Sequence, residues 1–333
     1  MSTNLAQLLT LPSLDQVRAL TSDDFDAMNT LIERELRSDV PLVREITGYI
    51  VQSGGKRLRP LIVLLVARMC SYKGTDHIKL ATLVEFLHTA TLLHDDVVDK
   101  STRRRNRRSA NAIWGNSASV LVGDFLYSRA FELMVEINSM NLMKIISEAT
   151  NAIAEGEVLQ LQNVGNTSLS EMEYMDIIRR KTAMLFQAAA HTGAVLAGAE
   201  TDETRLFQDF GLHFGLAFQL IDDWLDYAGT SESMGKNVGD DLSEGKATLP
   251  LIYTMTHGSK AESETIKDAI NSQSAERIDD VIRAVRSSGA LDYVRERAQQ
   301  QTEWCLSCLD SLATNPFCRG LEALANVALC RMS

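Results

Sequence analysis

Proline and aromatic residues are scarce in this sequence. Only 5 of its 333 residues are proline, and Phe, Trp and Tyr together make up 6%. Proline interrupts helices, whereas strands are enriched in aromatic and β-branched side chains, so a low content of both favours helix. Long stretches are rich in Ala, Leu, Glu, Gln and Met, which are good helix formers. We therefore predict an all-α fold.

Linkers and fixed-period repeats are absent from the sequence as well. A chain of this length could form two average domains or one large helical domain. Because no change in composition divides the chain, we predict one helical-bundle domain over residues 1–333, with the helices of residues 1–50 packed on the main body.

Long apolar runs and a basic leader are also missing. The longest strongly apolar run, residues 61–67, is far too short to cross a bilayer. The first basic residue is Arg18, and acidic residues lie at Asp15 and within DDFD at residues 23–26, unlike a secretory or mitochondrial targeting segment. We therefore expect a soluble, cytoplasmic protein without a transmembrane segment.

Positive charge is in short supply. The 33 Lys and Arg residues face 44 Asp and Glu residues, which gives a net charge of -11. This balance argues against a nucleic-acid partner, because binding to a nucleic-acid backbone needs a broad basic surface. Basic residues nevertheless concentrate in KRLR at residues 56–59 and RRRNRR at residues 103–108. Each stretch alone is either a solvated charge run or a confined anion site.

The five cysteines are scattered and odd in number. Cys305 and Cys308 form a CxxC in helical sequence, but no second pair and no histidine lies near it. We therefore predict a structural role for this pair rather than metal binding or redox chemistry, with reduced thiols.

Two clusters of aspartate stand out against this background. DDVVD at residues 95–99 and DDWLD at residues 222–226 each follow an apolar helical stretch. Helix positions i and i+4 share a face, so Asp95 and Asp99 point the same way, as do Asp222 and Asp226. Paired carboxylates repel unless a cation lies between them, and hard oxygen ligands with room for water and phosphate suggest Mg²⁺. We predict that the two motifs face each other across one bundle.

Candidate anion ligands lie outside these motifs. A glycine pair at residues 54–55 precedes Lys56 and Arg59, and paired glycines let a backbone approach an anion closely. His88 lies on a helical stripe that leads to the first aspartate motif, which favours a site residue over a core histidine. Lys181 lies on an apolar helix, where a buried ammonium is costly without an anion to meet.

Together these segments resemble the trans-prenyl diphosphate synthases, and specifically their long-chain, octaprenyl-type bacterial members. The match runs from about residue 54 to residue 251. It rests, in chain order, on GGKRLRP, FLH, LLHDDVVD, SAN, VGDFL, GEVLQ, KTA, FQLIDD and GKNVGDD. Two ordered aspartate motifs with basic elements between them make the resemblance highly specific.

The resemblance implies a prenyltransferase fold around a central cavity, a homodimer, and Mg²⁺ as cofactor. It assigns magnesium binding to Asp95, Asp99, Asp222, Asp223 and Asp226, the last two directly or through water. It assigns the allylic diphosphate to Arg104, Lys181, Thr182, Gln219 and Lys236. It assigns the diphosphate of isopentenyl diphosphate to Lys56, Arg59, His88 and Arg105. The catalytic set is then Asp95, Asp99, Asp222, Lys181 and Arg104.

One position departs from the family pattern. The family usually has glycine after its paired arginines, whereas this chain has Asn106 with further arginines around it. Asparagine tolerates a positive φ better than most residues, so we expect the turn to survive. The roles given to Arg104 and Arg105 depend on this register.

The helix before the first motif is expected to influence product length. The resemblance to short-chain synthases implies that bulky aromatics just upstream of the first motif limit the product. This chain has Ala90 and Thr91 there, with Leu87 below them. At about 100° per residue, Thr91 lies closer to the Asp95 stripe than Ala90 does. Met134 is either the floor of the product cavity or an ordinary core residue.

We predict successive condensations of isopentenyl diphosphate with an allylic diphosphate such as farnesyl diphosphate. The expected product has eight isoprene units and serves as a quinone side chain, with possible peripheral membrane contact when it is released. Three alternatives remain: a synthase with a shorter or longer product, a class I terpene cyclase, and a noncatalytic subunit of a heteromeric synthase. A cyclase needs no second diphosphate pocket, and a noncatalytic subunit would be expected to lose carboxylates.

Overall fold

The computed structural model describes residues 12–52, 54–104, 107–228 and 239–330. Arg105, Asn106 and Lys236, which were singled out in the sequence, lie outside the described residues.

The all-α prediction is confirmed. The first half of the chain forms α1 (Leu14–Ala19), α2 (Ser22–Glu35), α3 (Pro41–Gln52), α4 (Leu58–Met69), α5 (Asp76–Val98), α6 (Ala110–Trp114), α7 (Asn116–Ile137) and α8 (Met140–Gln162). The second half forms α9 (Glu171–Ile178), α10 (Met184–Ala197), α11 (Thr201–Ala228), α12 (Asp240–Ser243), α13 (Leu249–His257), α14 (Lys260–Ser272), α15 (Ile278–Ser287), α16 (Ala290–Ser307) and α17 (Pro316–Cys330). A short 3₁₀ turn at Ala275–Arg277 precedes α15.

The arginine-rich stretch contains the only strands among the described residues. β1 (Arg103–Arg104) pairs antiparallel with β2 (Arg107–Arg108). The hairpin lies against α3, because the Arg107 guanidinium stacks over the Tyr49 ring and the Tyr49 hydroxyl donates to the Arg108 carbonyl at 2.7 Å. This stretch is therefore an anchored hairpin rather than a freely solvated charge run.

The apolar run at residues 61–67 lies in a central helix. Every residue from 61 to 67, within α4, is fully buried. A helix that is apolar on all sides must be surrounded, and α4 packs against α5, α10 and α17. No helix in the described parts of the chain has both the length and the apolar character to span a membrane.

The longest helix, α11, joins two hydrophobic clusters. Its first half contributes Phe207, Phe210 and Phe214 to the cluster that contains α4 and α5. Its second half contributes Leu220 and Ile221 to the cluster that contains α13 to α16. Because both halves are packed, the second aspartate motif at the end of α11 is held on a rigid element.

The amino-terminal helices pack on the main body. α1 contacts α17, α2 contacts α5, and α3 contacts α7. Buried Asp24 on α2 accepts from Arg68 at 2.5 and 2.6 Å and lies 3.0 Å from His77 Nε2. Burial acts to raise the pKa of Asp24, but the bonds from Arg68 and His77 together lower it by more. Its pKa therefore lies below the ordinary value. Burial also lowers the pKa of His77.

A π-helical turn at Arg179–Ala183 separates α9 from α10. Such turns hold an extra residue and are frequent at functional sites. Helix α8 passes close to this turn because it has Gly156 there: an added Cβ would lie 2.7 Å from the Lys181 backbone nitrogen. The turn therefore brings Lys181 and Thr182 against α8 and α11.

Candidate active site

A cavity of about 380 Å³ lies between α4, α5, α8, α9, the π-helical turn, α11 and the segment around Lys246. Both aspartate motifs reach it, as the sequence predicted. The predicted site residues that line it are Arg59, His88, Thr91, Asp95, Asp99, Arg104, Lys181, Thr182, Gln219, Asp222 and Asp223. The sequence therefore identified residues from five separate segments that the fold brings together.

Several predicted residues do not line this cavity. Lys56 is exposed on the loop before α4, and Asp226 is buried one turn beyond Asp222. Leu87, Ala90 and Met134 are buried in the hydrophobic core.

The first aspartate motif contacts three basic residues. The Lys181 ammonium lies 3.8 Å from Asp95, and the Lys246 ammonium lies 2.8 Å from Asp99. The neighbouring Asp96 is 2% exposed and accepts from Arg104 Nε at 2.8 Å. Burial raises the pKa of Asp96, and the Arg104 charge opposes that rise. Asp96 therefore holds the predicted ligand Arg104 at the cavity.

Lys246 is a site residue that the sequence reasoning missed. Its ammonium contacts Glu244 at 2.6 Å as well as Asp99. Burial acts to lower the pKa of Lys246, but the charges of Asp99 and Glu244 raise it more strongly, so the ammonium stays protonated. The available signal was a charged EGK sequence after a glycine-containing loop, and only the fold shows that it reaches the first motif.

Lys181 is held by two acceptors on α8. Its ammonium lies 2.6 Å from the Glu157 carboxylate and 2.5 Å from the Gln160 side-chain oxygen. These acceptors are three residues apart and share one helix face. Burial raises the pKa of Glu157 to about 7, against the opposing charge of Lys181. Both acceptors fall within the GEVLQ sequence, but their role as partners of Lys181 was not predicted.

A chain of hydrogen bonds orders the second motif. The Thr182 hydroxyl donates to the Gln219 side-chain oxygen Oε1 at 2.9 Å, and the Gln219 side-chain nitrogen Nε2 donates to Asp223 Oδ1 at 2.7 Å. The Tyr174 hydroxyl donates to the other Asp223 oxygen. Burial and the charge of Asp241 raise the pKa of Asp223 to about 8. Both Asp223 oxygens therefore already accept bonds from the protein, and Asp222 lines the cavity beside it.

Two of the predicted isopentenyl diphosphate ligands, Arg59 and His88, line the cavity side by side. Arg59 Nη1 is 3.2 Å from His88 Nε2, and the Arg59 guanidinium lies over the Phe186 ring. Arg18 donates to the Lys56 carbonyl at 2.8 Å and so ties down the loop before α4. Arg57 begins that helix in the left-handed region, with φ of 44°.

The donor set fits a divalent cation that is shared with a substrate. Carboxylate oxygens from both motifs line one cavity, and oxygen donors suit hard cations. Among the described residues, however, no group of three or more His, Cys, Asp or Glu side chains is close enough to hold an ion alone. An ion here would need further oxygens, which a diphosphate supplies.

The upstream helix positions differ in their exposure to the cavity. Thr91 lines it, whereas Ala90 is fully buried in the core. This matches the helical spacing, which places Thr91 and not Ala90 on the Asp95 stripe. The roles of Ala90, Leu87 and Met134 in product length stay predictions.

The CxxC cysteines lie away from this cavity. Cys305 and Cys308 are buried free thiols on and just after α16, and Cys305 donates to the Phe210 carbonyl at 3.5 Å. Burial raises the pKa of both thiols. These contacts agree with the predicted structural role, because reactivity needs the thiolate.

The comparisons with known proteins agree with this geometry. The family model described as polyprenyl synthetase matches residues 40–287. Octaprenyl diphosphate synthase of Escherichia coli (strain K12) is 46% identical, covering 96% of this chain and 99% of that protein. All-trans-nonaprenyl-diphosphate synthase (geranyl-diphosphate specific) of Rhodobacter capsulatus is 44% identical, covering 95% and 97%.

A solved structure shows the same fold. Polyprenyl synthase from Caulobacter crescentus CB15, complexed with calcium and isoprenyl diphosphate, superimposes with a TM-score of 0.92. It is 44% identical, and the match covers 95% of this chain and 97% of that one. The resemblance drawn from the motifs is therefore confirmed. The chain belongs to the polyprenyl synthetase family.

Proposed function

We propose that this chain condenses isopentenyl diphosphate with an allylic diphosphate such as farnesyl diphosphate, repeatedly, to give octaprenyl diphosphate for a quinone side chain. Family membership and the long-chain relatives make the chain a prenyltransferase and a long-chain trans-polyprenyl diphosphate synthase. The observation that carries the proposal is one cavity lined by both aspartate motifs together with Arg59, Lys181 and Lys246.

Magnesium is the proposed cofactor. The family uses a divalent metal, and the Caulobacter relative was solved with calcium. Asp95, Asp99 and Asp222 are the residues that we propose as direct ligands, with Asp223 and Asp226 acting directly or through water. When bound, the metal would neutralise charge on the departing diphosphate.

The basic residues of the cavity assist the same step. Ionisation breaks the bond between the allylic carbon and its diphosphate, and negative charge grows on the leaving oxygens. Arg104, Lys181 and Lys246 are proposed to donate to those oxygens, most strongly as the bond breaks. Thr182 and Gln219 are proposed to orient the allylic diphosphate, and Lys236, outside the described residues, to bind it as well.

The second substrate is proposed to bind beside the first. Lys56, Arg59, His88 and Arg105 would hold its diphosphate, so that its double bond faces the allylic cation. Attack forms one carbon–carbon bond, and loss of one proton restores an alkene. We propose that an oxygen of the released diphosphate accepts this proton.

The finer product assignment depends on the cavity. The relatives named above make octaprenyl and nonaprenyl products, which establishes that the product is a long chain. That the product has eight isoprene units is our proposal. Thr91 would limit the tail directly, with Ala90, Leu87 and Met134 behind the cavity wall.

Assembly and location follow the family resemblance. We propose a homodimer, and exposed apolar residues on α7, Leu121 and Val135, support association. The cytoplasmic location, the extent of the domain over residues 1–333 and the membrane contact during product release stay predictions. Light scattering of the purified chain would test the dimer.

The test of the proposed function is product analysis. The purified chain is incubated with isopentenyl diphosphate, farnesyl diphosphate and Mg²⁺, and the dephosphorylated products are separated by chromatography. We expect a product of eight isoprene units from this chain alone, and none from Asp95→Ala. Turnover without isopentenyl diphosphate would support a terpene cyclase instead. Activity only after a second protein is added would indicate a subunit.

A further inference from the structure

Phe186 lies directly beneath a predicted substrate ligand. The Arg59 guanidinium carbon is 4.0 Å from the centre of the Phe186 ring. Phe186 is fully buried, whereas Arg59 is partly exposed and lines the cavity. The ring therefore forms a floor against which the charged group rests.

This contact fixes the direction of the guanidinium. A cation over an aromatic face is attracted by the electron-rich ring. Arg59 Nη1 also lies 3.2 Å from His88 Nε2. With one face on the ring and one nitrogen at His88, the guanidinium has little freedom to turn. A planar fork held in this way is suited to bidentate binding of a phosphate.

The ring itself is held firmly. Phe186 packs edge-on against Phe214, with 5.1 Å between the ring centres, and at a tilt against Phe218, with 5.5 Å between the ring centres. Phe218 lines the cavity and directly precedes Gln219, which accepts from Thr182. The ring therefore lies behind the cavity wall, between the Gln219 side of the site and Arg59.

We propose that Phe186 is a positioning residue for Arg59, and that it sets the affinity for isopentenyl diphosphate without touching that substrate. The inference rests on the proposed function, which assigns Arg59 to the isopentenyl diphosphate pocket. Loss of the ring would leave Arg59 free to sample other rotamers. Binding of the second substrate would weaken, while binding of the allylic substrate would not change.

The competing explanation is that Phe186 only fills the core. Phe210 provides a matched control, because it is also fully buried and also packs against Phe214, at 6.1 Å. Among the described residues, the cation–π contacts of the structure include Phe186 but not Phe210. Phe186→Leu and Phe210→Leu therefore remove similar packing, and only the first removes the support of Arg59.

The experiment measures KM for each substrate, kcat, and binding of isopentenyl diphosphate alone by calorimetry. We expect Phe186→Leu to raise KM and Kd for isopentenyl diphosphate about fivefold, with kcat and the allylic KM little changed. Phe210→Leu should leave both KM values near wild type, and Phe186→Tyr, which keeps the ring, should restore binding. If Phe186→Leu does not fold, Phe186→Met tests the same loss with a longer, more flexible side chain that fills irregular gaps.

Three results would overturn the proposal in different ways. Equal effects of Phe186→Leu and Phe210→Leu on all constants would show that Phe186 acts only through packing. An unchanged KM for isopentenyl diphosphate in Arg59→Ala would instead remove the pocket assignment on which the proposal rests. A rise in that KM for Arg59→Ala but not for Phe186→Leu would leave the proposed function intact and refute the positioning role.

Discussion

Lys246 and Asp99 are 147 residues apart in the sequence, yet the Lys246 ammonium donates to the Asp99 carboxylate at 2.8 Å. Asp99 ends the first aspartate motif, and Lys246 follows the second. The pair therefore joins the two walls of the cavity. Glu244 holds the same ammonium at 2.6 Å, so the cation is fixed at this junction.

Replacing Lys246 by Met should slow the reaction strongly. The substitution removes a charge that we place beside the departing diphosphate but keeps much of the side-chain length. One charge-assisted hydrogen bond is worth about 1.5 to 3 kcal/mol, so we expect kcat/KM for the allylic substrate to fall about 10- to 100-fold. Lys260→Met is the control, because Lys260 is 91% exposed on α14. Equal activity of the two variants would contradict a role for Lys246.

Replacing Glu157 by Gln should raise the Mg²⁺ requirement. Glu157 and Gln160 hold the Lys181 ammonium 3.8 Å from Asp95. Without the Glu157 charge, Lys181 is drawn toward Asp95 and competes with the cation there. We expect about a tenfold rise in the Mg²⁺ concentration that half-saturates pyrophosphate binding, followed by calorimetry.

Glu155 offers a matched control for that substitution. It lies on the same helix but pairs with Arg180 at 2.5 Å, outside the cavity. Glu155→Gln should leave the Mg²⁺ requirement unchanged. If both variants respond alike, or if Glu157→Gln has the same effect in a Lys181→Met background, Glu157 does not act through Lys181.

Substitution of Thr91 by Phe should shorten the product. Thr91 lines the cavity, so the larger ring would occupy space that the growing tail needs. Ala90→Phe is also expected to shorten the product, but by another route. Ala90 is fully buried, so a ring there reaches the cavity only by displacing core side chains. Chromatography of the products gives the chain lengths, and thermal unfolding shows whether Ala90→Phe overpacks the core. An unchanged distribution for Thr91→Phe would refute the cavity explanation.

His77 should make the fold less stable in mild acid. Burial lowers its pKa below the ordinary value of 6.5, although nearby Asp24 opposes the shift. The unfolded chain therefore binds a proton more readily than the folded chain, and stability falls as the pH drops below about 6.5. The lowered pKa of Asp24 acts only at lower pH, because its stabilisation is lost below the ordinary value of 3.8.

The measurement is Tm at pH 7.5 and pH 5.5. We expect the decrease in Tm to be about 2 °C smaller for His77→Gln than for wild type. His257→Gln is the control, since His257 is exposed on α13. A pH response of His77→Gln equal to that of wild type would contradict the assignment.

Sequence patterns identified much of the site because its parts are local. The aspartates of each motif follow helical spacing, so their shared face is visible in one dimension. Helical spacing also predicted that Thr91, and not Ala90, lies on the helix face that carries Asp95. These features depend on only one or two helical turns, and the structure retains them.

The missed residues depend on contacts between distant segments. Tyr174 contacts Asp223 across 49 positions, and Glu157 contacts Lys181 across 24. Nothing near any of these residues in the sequence reveals its partner. The arginine hairpin was missed for another reason: two-residue strands leave no alternating pattern, and this hairpin is anchored by Tyr49 on α3.

The π-helical turn at Arg179–Ala183 also determines how this segment tolerates changes in length. A π turn accommodates one residue more than a regular turn. Deleting one residue there would remove the bulge and let α9 and α10 join as one regular α-helix, with the two flanking helices kept in phase. The bulged backbone that brings Lys181 and Thr182 against α8 and α11 would then be lost, so alignments of working relatives should show no gap in this turn.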